Sequence, residues 1–188
     1  MSNIIVLYKS KYGFTKRYAE WIASDLKADL CEVSEVTARA LDKYSTVVFG
    51  GSLYINRLSG INTLLKYQRR LIDKKIIIFT CGLSDPNNER GTERIKNAIR
   101  KKIPGILAGN VNMFHLRGGV DYAKLKFLDS LILGFLEKML KKSKQEELPP
   151  EQRELAAVLG KDFDFSSSEQ IKTIIEFALK DTALKNGD

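Results

Sequence analysis

The stretch Asn3-Ile4-Ile5-Val6-Leu7-Tyr8-Lys9-Ser10-Lys11-Tyr12-Gly13-Phe14-Thr15 decides the fold. Its first half is a short apolar run, the pattern of a strand buried on both faces. Its second half is a turn in which hydroxyls flank a glycine. From Thr15 to about Lys27 the period becomes helical, with Tyr18, Ala19, Ile22, Ala23 and Leu26 three or four apart. A strand that turns at once into a helix brings unpaired backbone N–H groups and the positive dipole end to the strand's carboxyl end, which makes an anion site. Ser10 and Thr15 are the hydroxyl donors of that loop, Gly13 allows the tight turn, and Lys11, Tyr12 and Phe14 complete it.

The alternation continues outward. Strand-like runs fall at Asp29–Val33, Thr46–Phe49 (ending at Gly50-Gly51), Lys75–Thr80 (breaking at Gly82) and Asn110–Leu116 (ending in Arg117-Gly118-Gly119). Helical patterns fall at Ile61–Ile72 and Arg90–Lys102. A last helix starts at Ser166, which has capping-box spacing to Glu169 and carries Ile171, Ile174, Ile175 and Ala178 inward. Strands interleaved with helices predict an α/β fold, a doubly wound five-stranded parallel sheet. Ligands of such sheets lie beyond the carboxyl ends of the strands. The loop after the third strand therefore offers Ser52, Leu53, Tyr54 and Ile55, with Tyr54 as a ring for stacking. The loop after the fourth offers Cys81, Gly82 and Leu83. Cys81 reads as a small packing residue, and His115, the sole histidine, as a satisfied core or edge residue.

Several nucleotide-binding classes are excluded. The first loop is not Gly-x-Gly-x-x-Gly, and no Gly-Lys-Ser/Thr stands where a P-loop needs it. A phosphoacceptor receiver domain needs carboxylates after the first strand to hold Mg²⁺, and Lys9, Ser10 and Lys11 stand there instead.

Ser-x-Tyr-Gly-Phe-Thr at 10–15 resembles the phosphate loop of flavodoxins, usually Thr/Ser-x-Thr-Gly-Asn-Thr, and departs from it at Tyr12 and Phe14. The likeness implies strand order 2-1-3-4-5 and non-covalent binding of flavin mononucleotide (FMN) by Ser10–Thr15, Ser52–Ile55 and Cys81–Leu83. A narrower resemblance is to the menaquinone-dependent protoporphyrinogen dehydrogenases. They have a Gly-x-Ser-Ile/Leu-type segment after the third strand, matched by Gly51-Ser52-Leu53-Tyr54. They also have a basic, aromatic-rich segment after the fifth, matched loosely by Leu116–Lys144.

All 188 residues are expected to form one domain, with 119–165 an insertion before the last helix. Within it, Asp121–Lys144 predicts an amphipathic helix with Leu125, Leu128, Ile132, Leu136 and Met139 on one face and lysines around the rest. Lys144–Glu154, with Pro149-Pro150, predicts a loop. The net charge of +8 favours an anionic partner. A basic amphipathic helix suits the surface of an acidic membrane, and a docked helix with lysines in water is the plainer alternative. No specific nucleic-acid contact is expected. Two well-separated cysteines, no basic leader and no long apolar run lead to the expectation of a cytoplasmic protein, peripheral at most to the inner face of the membrane. Three functions compete. They are an FMN-dependent oxidoreductase linked to a lipophilic quinone, an electron carrier docking a redox partner protein, and a binding module that has lost the flavin. Electron carriers of this kind are typically acidic, which a +8 chain is not.

Overall fold

The computed structural model describes residues 3–54, 57–144, 146 and 148–180. Ile55, one of the expected site residues, lies outside them. Strands β1 (Ile4–Lys9), β2 (Asp29–Glu32), β3 (Thr46–Tyr54), β4 (Arg57–Leu58), β5 (Lys75–Gly82) and β6 (Val111–Arg117) make the main sheet. Its order is β2-β1-β3-β5-β6, all parallel, with the short β4 folded back on the end of β3. Counting the five parallel strands alone, this is the expected order 2-1-3-4-5.

Alternate residues serve opposite faces, as the pleat requires. Ile4, Val6, Val48, Ile77 and Phe79 pack under α1 (Phe14–Leu26) and the last helix, α8 (Lys172–Leu179). Ile5, Leu7, Val47, Phe49, Ile76 and Ile78 form the second core. It is closed by α2 (Ala38–Leu41), α3 (Ile61–Leu65), α4 (Gln68–Leu71) and α5 (Glu89–Arg100).

Four boundaries depart from the sequence reading. The third strand does not stop at Gly50-Gly51 but continues to Tyr54, so Ser52, Leu53 and Tyr54 are strand residues rather than loop. The two glycines are there for packing: a Cβ on Gly50 would run into the Phe79 ring, and one on Gly51 into Leu58. The expected helix 61–72 is two short pieces, α3 and α4. The break at Tyr67 lets its hydroxyl donate to the Val36 carbonyl at 2.9 Å. The last helix is capped one residue later than expected. Ser166 is taken up by Asp164 and Arg17, while Ser167 Oγ accepts the Glu169 N–H at 3.2 Å and opens a 3₁₀ turn over Ser168–Ile171.

The fourth departure is the insertion. Its predicted helix is a 3₁₀ turn (Tyr122–Lys124), an extended step at Leu125, and α6 (Phe127–Lys142). The predicted loop contains α7 (Pro150–Val158), with Pro150 in the first turn, where a missing N–H costs nothing. Leu140, Leu148, Ala156 and Leu159 form a small third core between α6 and α7. A two-stranded antiparallel ribbon, β7 (Gly119–Val120) with β8 (Phe163–Asp164), brackets the insertion. Two-residue strands carry no periodicity, which is why the sequence did not announce them.

Candidate functional site

The carboxyl ends of β1, β3 and β5 open on a cavity of about 310 Å³. Lys11, Tyr12, Phe14 and Thr15 wall it on one side, Ser52, Leu53 and Tyr54 from β3 on another, and Cys81, Gly82 and Leu83 on a third. One loop and two strand ends far apart in sequence thus meet at one place; Cys81 and Gly82, expected in a loop, are the last residues of β5. The fourth wall is Gly118-Gly119-Val120 with Leu125, Asp129, Ile132, Leu133 and Leu136 of the insertion.

Gly13 is the residue before α1, at φ 97°, a left-handed conformation that strains any residue with a side chain. No side chain caps α1, and its first backbone bond runs from Arg17 N to Gly13 O at 2.9 Å. The preceding N–H groups have no acceptor within the helix, and the first turn carries no acidic residue. Ser10 Oγ accepts the Gly13 N–H at 3.0 Å and shapes the turn. Thr15 is 1% exposed; its Oγ1 lies 2.9 Å from Ser52 Oγ, which also accepts the Lys11 N–H at 3.0 Å. Ser52 therefore ties the first loop to β3.

Asp129 is the residue that sequence reasoning missed. Its side chain is 5% exposed, and its carboxylate sits 2.7 Å from Lys11 Nζ. The Tyr12 and Tyr54 hydroxyls both donate to it. Burial works against its charge, but the bonds from Lys11, Tyr12 and Tyr54 together outweigh that and lower its pKa to about 2. The reverse effect is seen on the phenols. The bond to Asp129, with burial, lifts Tyr54 to about 12, and burial followed by the same carboxylate raises Tyr12. Lys11 Nζ also stands 3.9 Å from the centre of the Tyr54 ring. One face of that ring is thus taken by a cation, and a stacked ligand has to use the other or displace it. The signal for Asp129 was present in the sequence as a lone acid on the apolar line Leu125, Asp129, Ile132, Leu136, Leu140 of a lysine-rich segment.

The expected face of the insertion helix is split. Leu125, Ile132 and Leu136 turn to the cavity, whereas Leu128 and Met139 are 69% and 48% exposed. The segment is apolar on more than one side, so pattern alone could not say which side the domain would cover.

Cys81 packs in the core beside Thr15, and burial pushes its thiol up to about 12, so it stays protonated. His115 is buried beyond the cavity wall. Its Nε2–H donates to the Ser84 carbonyl at 3.1 Å and its Nδ1 accepts the Thr80 hydroxyl at 2.6 Å. Burial lowers its pKa and keeps it neutral. Its work is to hold the loop that carries Ser84. Arg117 is nearly buried, stacked 3.7 Å from the Phe165 ring centre and bonded to Glu154 at 2.6 Å. It fastens α7 to the end of β6.

No curated protein matches the chain. Among solved structures, a flavodoxin, WrbA-like protein from Agrobacterium tumefaciens is 24% identical over 60% of this chain and 82% of its own, with a TM-score of 0.43. Oxidised Flavodoxin 1 from Bacillus cereus is 14% identical over 75% of this chain and 99% of its own, with a TM-score of 0.41. The Trp repressor binding protein from Bacillus subtilis is 16% identical over 61% and 83%, with a TM-score of 0.43. The family described as "Flavodoxin domain" matches residues 5–147, three quarters of the sequence, and the chain belongs to that family.

Proposed function

We propose that this chain binds FMN in the cavity at the ends of β1, β3 and β5 and acts as a flavin-dependent oxidoreductase whose electron partner is lipophilic and quinone-like. The observation that carries the reading is the uncapped start of α1 behind Gly13, beside a cavity walled by the first loop and the ends of β3 and β5. The donor set suits a phosphate ester. N–H groups at the start of α1 without helical acceptors, the Thr15 hydroxyl and Lys11 belong to the cavity wall or its edge, and Ser10 shapes the turn just behind it. Asp129, the one carboxylate among the described lining residues, is already bound by Lys11, Tyr12 and Tyr54. Ser52–Tyr54 and Cys81–Leu83 would flank the ring system. Bound flavin supplies the redox chemistry, and the protein supplies binding and electrostatics.

The lipophilic partner is supported by the fourth wall. Val120, Leu125, Ile132, Leu133 and Leu136 make the insertion side of the cavity apolar, which suits a flat hydrocarbon-rich oxidant better than a charged one. The resemblance to the protoporphyrinogen dehydrogenases points the same way. The net charge of +8 weighs against an electron carrier that docks basic patches on partner proteins.

Titration with FMN and with riboflavin tests the reading. Quenching of flavin fluorescence is expected with FMN. Ser10→Ala with Thr15→Ala should weaken FMN far more than riboflavin, by roughly 1.5–3 kcal/mol per bond lost to a charged group. No binding at tens of micromolar FMN overturns the proposal, and equal weakening of both ligands removes the phosphate assignment.

A further inference from the structure

Helix α6 has two apolar sides, and the fold uses one of them. The inner side gives Ile132, Leu133 and Leu136 to the cavity and buries Leu140 in the small core. The outer side leaves Phe127, Leu131, Phe135 and Met139 between 48% and 76% exposed. These four are spaced by four, so they form one stripe along the helix, about 18 Å long at 1.5 Å per residue. A contiguous exposed apolar stripe with two phenylalanines marks an interaction surface.

The charges around the stripe say what it meets. Lys124, Lys126, Lys138, Lys141 and Lys142 are exposed beside it. Acids offset two of them, Glu137 at 2.6 Å from Lys141 and Asp121 at 2.6 Å from Lys124, while Asp129 is buried against Lys11; the border keeps a net positive charge carried by Lys126, Lys138 and Lys142. We propose that this face docks on an anionic lipid surface, with the phenylalanines and leucine in the headgroup–acyl boundary and the lysines on lipid phosphates. A second copy of the chain fits less well. Pairing two such faces sets lysine border against lysine border, with no acid on either stripe to compensate. Among the described residues no helix is long and apolar enough to cross a membrane, so the contact is peripheral to the bilayer core. Docked this way, the cavity lies on the inner side of the same helix that touches lipid. The docking needs no bound flavin, so it stands or fails apart from the proposed redox function.

Co-sedimentation of the full chain with vesicles decides it. Vesicles of phosphatidylglycerol with phosphatidylcholine are expected to carry the protein down at low salt and release it at high salt; vesicles of phosphatidylcholine alone are expected to leave it in solution. Each lysine near an anionic surface is worth about fivefold in partitioning, so Lys138→Gln, Lys141→Gln and Lys142→Gln together should weaken binding about a hundredfold. Phe127→Ser, Leu131→Ser and Phe135→Ser should abolish it while circular dichroism and FMN affinity stay as in the parent, because these side chains face solvent and none lines the cavity. No sedimentation with anionic vesicles, equal sedimentation with neutral ones, or indifference to either set of substitutions overturns the proposal. So does a dimer that the serine variant splits and lipid does not.

Discussion

Asp129 shows how much one side chain joins. Its carboxylate links α6 to Lys11 and Tyr12 of the first loop and to Tyr54 of β3. Tyr12 is also the residue where the loop departs from the flavodoxin pattern. The phenol spends its proton on Asp129, a contact the usual short hydroxyl does not have the length to make. Asp129→Asn keeps the shape but removes the charge, leaving Lys11 and two phenols without their acceptor anion. A loss on the order of 2 kcal/mol is expected, in the range for hydrogen bonds to charged groups, and urea unfolding would measure it. An unchanged midpoint would mean that α6 is held by its apolar contacts alone. Gly50→Ala is expected to cost more than a typical surface change, about 1–3 kcal/mol or above, because the Phe79 ring already fills the space.

Among the elements, the insertion is held less firmly than the sheet. β1, β3 and β5 are buried on both faces by two large cores, whereas α6 and α7 share a small one built on Leu140, Leu148, Ala156 and Leu159. Their polar ties to the rest include Asp129 with Lys11 and Tyr12, Arg117 with Glu154, and Asn88 with Glu151. Amide hydrogen exchange should therefore be faster across Phe127–Lys142 and Pro150–Val158 than in the three central strands. Leu140→Ala should speed exchange in α6 and α7 and leave β3 and β5 as they were. Equal acceleration throughout would show that the insertion unfolds only with the whole domain.

Over the whole molecule, acid should destabilise in two stages. Burial lowers the pKa of His115 below its ordinary 6.5, so below about pH 6.5 the unfolded chain takes up a proton that the folded chain declines. Stability falls as pH drops through that window. Asp129 acts lower down. Its folded pKa of about 2 against 3.8 in a free chain stabilises the fold above 3.8, and that gain is lost as pH falls from 3.8 toward 2. Unfolding midpoints across pH 8 to 5 should slope less in His115→Gln than in the parent; identical slopes would assign the upper stage to other groups.

Much of this protein was legible in its sequence because the relevant signals are local. Strand β1, the turn at Gly13 and the start of α1 follow from thirteen consecutive residues, and the buried set Tyr18, Ala19, Ile22, Ala23 and Leu26 follows from helix period. Strand order and the meeting of the segments after β1 and at the ends of β3 and β5 follow from the α/β alternation and the flavodoxin likeness. What only the tertiary structure decided depends on contacts between distant segments. Gly50 and Gly51 looked like the end of a strand, but Phe79 and Leu58 make them its interior. The insertion could turn either apolar side to the domain, and the cavity took Ile132 and Leu136 while leaving Phe127 and Phe135 to solvent. Asp129 gave no reading of its own from the sequence; its role comes from Lys11, Tyr12 and Tyr54, more than seventy residues upstream, converging on it. Periodicity reports which residues share a face; which face is buried, and what a buried charge meets there, is set by packing that no window of sequence contains.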